Sequence, residues 1–144
     1  MVVTDDAQLV GPLEGLHVLV VDDNRDARTI YRAILAHSGA YVTVVPSATA
    51  AVRALKQVHP DIVITDLSMP GRNGLWLSRW LRSREPRDGT RIPVVAVTAR
   101  DDLYDRSAMA DVGLDDWLVK PVSHRELVRV ITGLTGRLSP RRSA

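Results

Sequence analysis

The chain has 144 residues, 45% of them hydrophobic, which suits one compact domain with a proper core and excludes an intrinsically disordered chain. Lys and Arg number 19 against 17 Asp and Glu, a formal net charge of only +2 with the basic residues dispersed, so neither a nucleic-acid partner nor a membrane partner is expected. The absence of cysteine excludes disulfides, thiol catalysis and thiolate metal sites, and no apolar run approaches the ~18 residues of a membrane-spanning helix.

Residues 1–15 lack sustained periodicity and are expected to form a flexible N-terminal extension. Asp5 and Asp6 stand where a secretory leader would carry positive charge, which predicts a cytoplasmic protein. A folded unit is expected over 16–134, and residues 135–144, with Arg137, Arg141 and Arg142, read as a flexible basic tail. Within the folded unit, short Val- and Ile-rich runs alternate with longer amphipathic stretches. Strands are predicted over His17–Val21, Tyr41–Val45, Asp61–Thr65, Pro93–Val97 and Trp117–Val119. Helices are predicted over 25–37, 47–58, 74–84, 102–112 and 123–134. Ser47 and Ser123 are suited to helix N-caps, and Gly39 and Gly113 stand where helices should stop. This alternation predicts an α/β fold, a doubly wound parallel sheet of right-handed βαβ units.

Doubly wound sheets place their sites beyond the carboxyl ends of the strands. Asp22 and Asp23 follow the first strand, Asp66 the third, Thr98 the fourth and Lys120 the fifth, whereas the second ends in Pro46. Three carboxylates gathered there repel one another unless a cation joins them, and Mg²⁺ suits such a set of hard oxygen donors. Asp66, on a different strand from the acidic pair, is placed to act as nucleophile and take up a phosphoryl group as an acyl phosphate. Lys120 supplies a fixed positive charge and Thr98 a hydroxyl donor, and the step requires no general base.

Over residues 16–134 the sequence resembles the receiver domains of two-component response regulators, a CheY-like, flavodoxin-like family. The resemblance rests on the acidic pair in VVDDN (20–24), on DLSMPGRNG (66–74), on the threonine of VTA (97–99) and on Lys120–Pro121, in that order at strand ends. It implies five helices around a five-stranded sheet of order 2-1-3-4-5. It implies Mg²⁺ held by Asp23, Asp66 and the backbone carbonyl of Ser68, with Asp22 acting mainly through a water. It further implies a cis Lys120–Pro121 bond, and a phosphoryl donor that is a sensor histidine kinase or a histidine phosphotransfer protein. Such a domain is not an enzyme: it is a phosphoacceptor that assists its own phosphorylation and dephosphorylation and signals by binding proteins. The downstream target is not encoded in the motifs. In the family a hydroxyl residue, here Thr98, moves with an aromatic one, here Trp117 in place of the usual Tyr or Phe.

Trp76 and Trp80 lie four apart on one predicted helix, beside Leu77 and Leu81. With the leucines inward, the tryptophans are expected toward the edge or solvent, as part of a partner or homodimer surface. Tyr104, Arg106 and Trp117 form a second candidate surface, on the family's usual output face. Two alternatives compete with the phosphorylated switch. One is a receiver-like module that binds partners without phosphorylation. The other is a haloacid-dehalogenase-like phosphatase with Asp22 as nucleophile, which would need an acid where Asn24 stands.

Overall fold

In the computed structural model, residues 11–84, 91–99 and 106–136 are described. They form β1 (His17–Val21), α1 (Arg25–His37), β2 (Tyr41–Val45), α2 (Ala48–Leu55), β3 (Ile62–Asp66), α3 (Gly74–Ser83), β4 (Val94–Thr98), α4 (Arg106–Asp111), β5 (Asp116–Val119) and α5 (His124–Thr135). The five strands pair in parallel in the order β2-β1-β3-β4-β5, so the expected doubly wound flavodoxin-like receiver topology is the observed one.

The strands bury both faces, which is why their sequences read as nearly continuous apolar runs. Alternate residues divide between two layers. Leu19, Val21, Val63, Val94 and Ala96 pack with Ala48 and Ala51 of α2, Leu77 and Leu81 of α3 and Met109 of α4. Val18, Val20, Ile62, Ile64, Val95 and Val97 pack with Leu35 of α1 and with Leu127 and Ile131 of α5.

Several boundaries differ from the sequence reading, and backbone pairing explains them. β3 and β4 each begin and end one residue later than expected, because Asp66 still pairs with Val97 and Thr98 with Val119. β5 begins at Asp116, which pairs with Val95. α2 closes at Leu55, after which the N–H groups of Lys56 and Gln57 donate to carbonyls only three residues back, at 3.2 and 3.0 Å. Of the helix expected over 102–112, residues 102–105 lie outside the described residues. Ser47 and Ser123 cap α2 and α5, the latter in a reciprocal capping box with Glu126. Gly39 and Gly113 take positive φ, 100° and 86°, just past α1 and α4.

The segment expected to be an extension contains packed structure. Residues 12–15 form a turn, Leu13 is 0% exposed within the α1–α5 layer, and its N–H donates to Ser38 O at 2.8 Å. The fold therefore already includes Leu13, ahead of the expected start at 16. No helix among the described residues is long and apolar enough to cross a membrane.

Candidate functional site

The carboxyl ends of β1, β3, β4 and β5 converge on one cluster of polar side chains. Asp22 continues β1: its N–H donates to Val45 O at 3.1 Å, and Arg28 from α1 donates to its carbonyl at 2.7 Å. Both contacts fix the backbone, so the side chain points from a rigid base. Asp22 Oδ1 accepts the Asn24 N–H at 2.9 Å, while Oδ2 is buried with no hydrogen-bond partner. Asp23, beside it, is exposed. Asn24 then caps α1, its Oδ1 accepting the Ala27 N–H at 2.9 Å.

Asp66 closes β3 and is buried; its Oδ1 accepts the Ser68 N–H at 2.9 Å. The following loop returns tightly to α3. A side chain on Gly74 would place a Cβ 2.8 Å from Leu67, 2.9 Å from Thr65 and 3.0 Å from the Asp66 carbonyl, so a larger residue there would force these neighbours to shift. Asn73 caps α3, accepting the N–H groups of Leu75 and Trp76 at 3.0 and 3.1 Å. Thr98, at the end of β4, is buried, and its carbonyl accepts the Lys120 N–H at 2.8 Å. Lys120 Nζ lies 3.6 Å from Asp66 Oδ2, and the Lys120–Pro121 bond is cis.

One carboxylate oxygen from each of Asp22, Asp23 and Asp66 lies within 4.8 Å of the others. Burial raises the pKa of Asp22, and the negative charges of Asp66 and Asp23 add to it; the Asn24 N–H and Lys120 oppose the shift. The same charge reaches Tyr31 on α1, whose phenol is pushed up to about 12 by burial first and by Asp22 and Asp66 after it. Among the described residues, three carboxylates face one ammonium, and a buried acceptor lacks a donor. A divalent cation with oxygen ligands satisfies both conditions, so these residues fit Mg²⁺.

The remaining expected residues lie elsewhere. Ser68 follows Asp66 in the loop, with its side chain exposed. Trp117 is half-buried on β5, opposite Ala96 in the ladder and packed against the α2–α4 layer. Trp76 and Trp80 are both half-buried on α3, against the same layer. Tyr104 and the side chain of Arg106 lie outside the described residues.

Four groups that support the site carried no clear signal in the sequence. Arg28, Asn24, Asn73 and Tyr31 act through backbone carbonyls, cap geometry or proximity across the fold. The cap-type residues Asn24 and Asn73 stand immediately before their helices, and that position was the one available clue.

Comparison with known proteins agrees with this arrangement. The family model described as the response regulator receiver domain matches residues 18–132. An uncharacterized 14.6 kDa protein from the sodA1 3′ region of Leptolyngbya boryana is 38% identical over 119 residues, 83% of this chain and 89% of that protein. The sensor histidine kinase GacS of Pseudomonas protegens is 37% identical over 120 residues; the match takes in 83% of this chain but only 13% of the kinase's length. Among solved structures, the receiver domain of the sensor histidine kinase PA1611 from Pseudomonas aeruginosa superposes with a TM-score of 0.74 at 31% identity, covering 85% of this chain and 98% of that one. That structure holds a magnesium ion coordinated in its active site cleft.

Proposed function

We propose that this chain, which belongs to the response regulator receiver domain family, is a cytoplasmic, phosphorylation-switched signalling module whose phosphoacceptor is Asp66. The observation that carries this reading is the meeting of Asp66 and Lys120 at 3.6 Å beside the unpartnered Oδ2 of Asp22. The donor is a phosphohistidine of a sensor histidine kinase or histidine phosphotransfer protein.

An Asp66 carboxylate oxygen attacks phosphorus as the P–N bond to the donor imidazole breaks, and the imidazole leaves with that electron pair and takes a proton from solvent. The product is an aspartyl phosphate. Lys120 stabilises charge on the transferring oxygens from one side, and the Thr98 hydroxyl donates to one of them. Asp23, Asp66 and the Ser68 carbonyl, with Asp22 acting mainly through a water, would hold Mg²⁺, which when bound would neutralise the remaining negative charge. The Ser68 N–H and the β3 backbone hold Asp66 in position, so the chain contributes alignment more than covalent machinery. It acts as a phosphoacceptor that assists its own phosphorylation and dephosphorylation, not as an enzyme with a separate substrate.

Phosphorylation adds charge at Asp66 and biases an equilibrium between two surfaces, with Thr98 and Trp117 as the moving pair. The outcome is read by a downstream protein or by a second copy of the chain. The phosphatase alternative lacks its required acid, because Asn24 occupies that place and its side chain caps α1.

The test exploits acyl phosphate chemistry. The protein is incubated with acetyl phosphate and Mg²⁺, then reduced with borohydride, which converts an aspartyl phosphate to homoserine. Homoserine at position 66 alone is expected; conversion at another aspartate, or a borohydride-stable phosphoryl group, would contradict the assignment.

A further inference from the structure

We propose that the outer flank of α3 is a docking surface for an acidic, carboxylate-bearing segment of a partner protein. Trp76 and Trp80 lie four apart on one face of α3, with Arg72 in the loop just before the helix and Arg84 at its C-terminal cap. The Arg72 guanidinium lies 4.4 Å from the Trp76 ring centroid, and that of Arg84 lies 5.1 Å from the Trp80 centroid. Arg79 is exposed on the same helix.

Only part of each of these two indoles packs against the α2–α4 layer. Leu77 and Leu81 already fill the core side of α3. The side toward α4 is committed through Ser78, which donates to Val112 O at 2.7 Å, and through Arg82, which donates to Gly113 O at 3.0 Å and pairs with Asp115 at 2.9 Å. The tryptophans fall on the other flank, each leaving part of its indole at the surface.

Among the described residues, the charge on this flank has one sign. Neither α2 nor α3 contains an acidic residue, and the exposed Arg53 of α2 and Lys56 just after it add to the arginines. Between 47 and 84 the only carboxylates are Asp61 and Asp66. Asp61 accepts the His17 N–H at 2.8 Å, and Asp66 belongs to the strand-end site. Arg72, Arg79 and Arg84 meet no carboxylate among the described residues. Rigid aromatic rings flanked by unneutralised arginines match a partner that brings carboxylates and apolar side chains together. Nucleic acid fits less well, because one face of each indole is already covered by a guanidinium where a base would stack. The inference is independent of the phosphoryl-transfer reading.

The test is an amide-and-indole NMR titration of the full chain with a short amphipathic peptide of Glu, Leu and Ala, beside its Lys counterpart. The indole N–H signals of Trp76 and Trp80 are expected to shift and saturate with the Glu peptide while that of Trp117 stays fixed. Replacing all three exposed arginines, as R72E/R79E/R84E, should weaken binding at least about tenfold without altering the amide pattern of the core. Unmoved indoles, or equal response to the Lys peptide, would overturn the proposal. So would indole shifts with a DNA duplex in place of the peptide, or with protein concentration alone, which would assign the flank to nucleic acid or to a second copy.

Discussion

Lys120 Nζ reaches to 3.6 Å from Asp66 Oδ2 although their strands are not neighbours: β4 lies between β3 and β5. The bridge is possible because the Lys120 N–H is anchored to the Thr98 carbonyl at the end of that intervening strand. Three strand ends are thus tied into one unit, with an ammonium held over a buried carboxylate. Replacing Lys120 by Met removes the charge while keeping the length of the stem. Phosphoryl uptake from acetyl phosphate, followed by intact mass against time, should slow by roughly a hundredfold. Lys120→Arg should restore little of the rate, because a planar guanidinium does not reproduce a compact ammonium in this cleft.

Asp22 carries the strained charge of the site. Its Oδ2 lacks a partner, and burial first, then Asp66 and Asp23, raise the cost of its ionised form. Asp22→Asn should therefore stabilise the metal-free protein; solvent at the strand ends screens part of the repulsion, which holds the gain to about 1 kcal/mol. The same substitution should abolish most of the rise in Tm that Mg²⁺ gives the wild type. Calorimetry of both proteins with and without Mg²⁺ reads both effects, and an undiminished Mg²⁺ response in the variant would remove Asp22 from the ligand set.

Tyr31 supplies a test at alkaline pH. Its phenol is raised from 10.0 to about 12, so the folded state resists ionisation that the unfolded chain accepts. The stabilising contribution is fully present below pH 10.0 and is lost as pH climbs through about 12. In urea unfolding, wild type should lose stability relative to Tyr31→Phe across that window. Parallel curves would show that neither burial nor the charge of Asp22 and Asp66 raises this phenol.

Leu13 tests where the folded unit begins. It is fully buried and hydrogen-bonded to Ser38, ahead of the residues that match the family. Leu13→Ala should cost about 2–4 kcal/mol, as for a buried leucine whose cavity cannot collapse. A change within error in chemical denaturation would place residues 11–15 outside the cooperative unit.

The periodic part of this architecture is legible in the residues. Continuous Val and Ile runs separated by amphipathic stretches announce a parallel sheet with both faces covered, and polar groups at four strand ends announce the site. Asp66 and Thr98 were expected just past their strands and close them instead, because the end of a strand depends on pairing partners such as Val97 and Val119. Leu13 was hidden because one leucine between Gly11 and Gly15 has no periodicity to reveal it. The roles of Arg28 and Arg82 were equally hidden. Both bind backbone carbonyls, of Asp22 and of Ile92 and Gly113, whose positions exist only once the sheet has assembled.

On the proposed function, Asp66 accepts a phosphoryl group in a reaction that needs Mg²⁺. Intact mass spectrometry after incubation with acetyl phosphate, with and without Mg²⁺ and beside an Asp66→Ala control, tests it most directly. The wild type is expected to gain one phosphoryl group with Mg²⁺, and the other samples none. No gain under conditions that label another receiver, or an equal gain by Asp66→Ala, would contradict it.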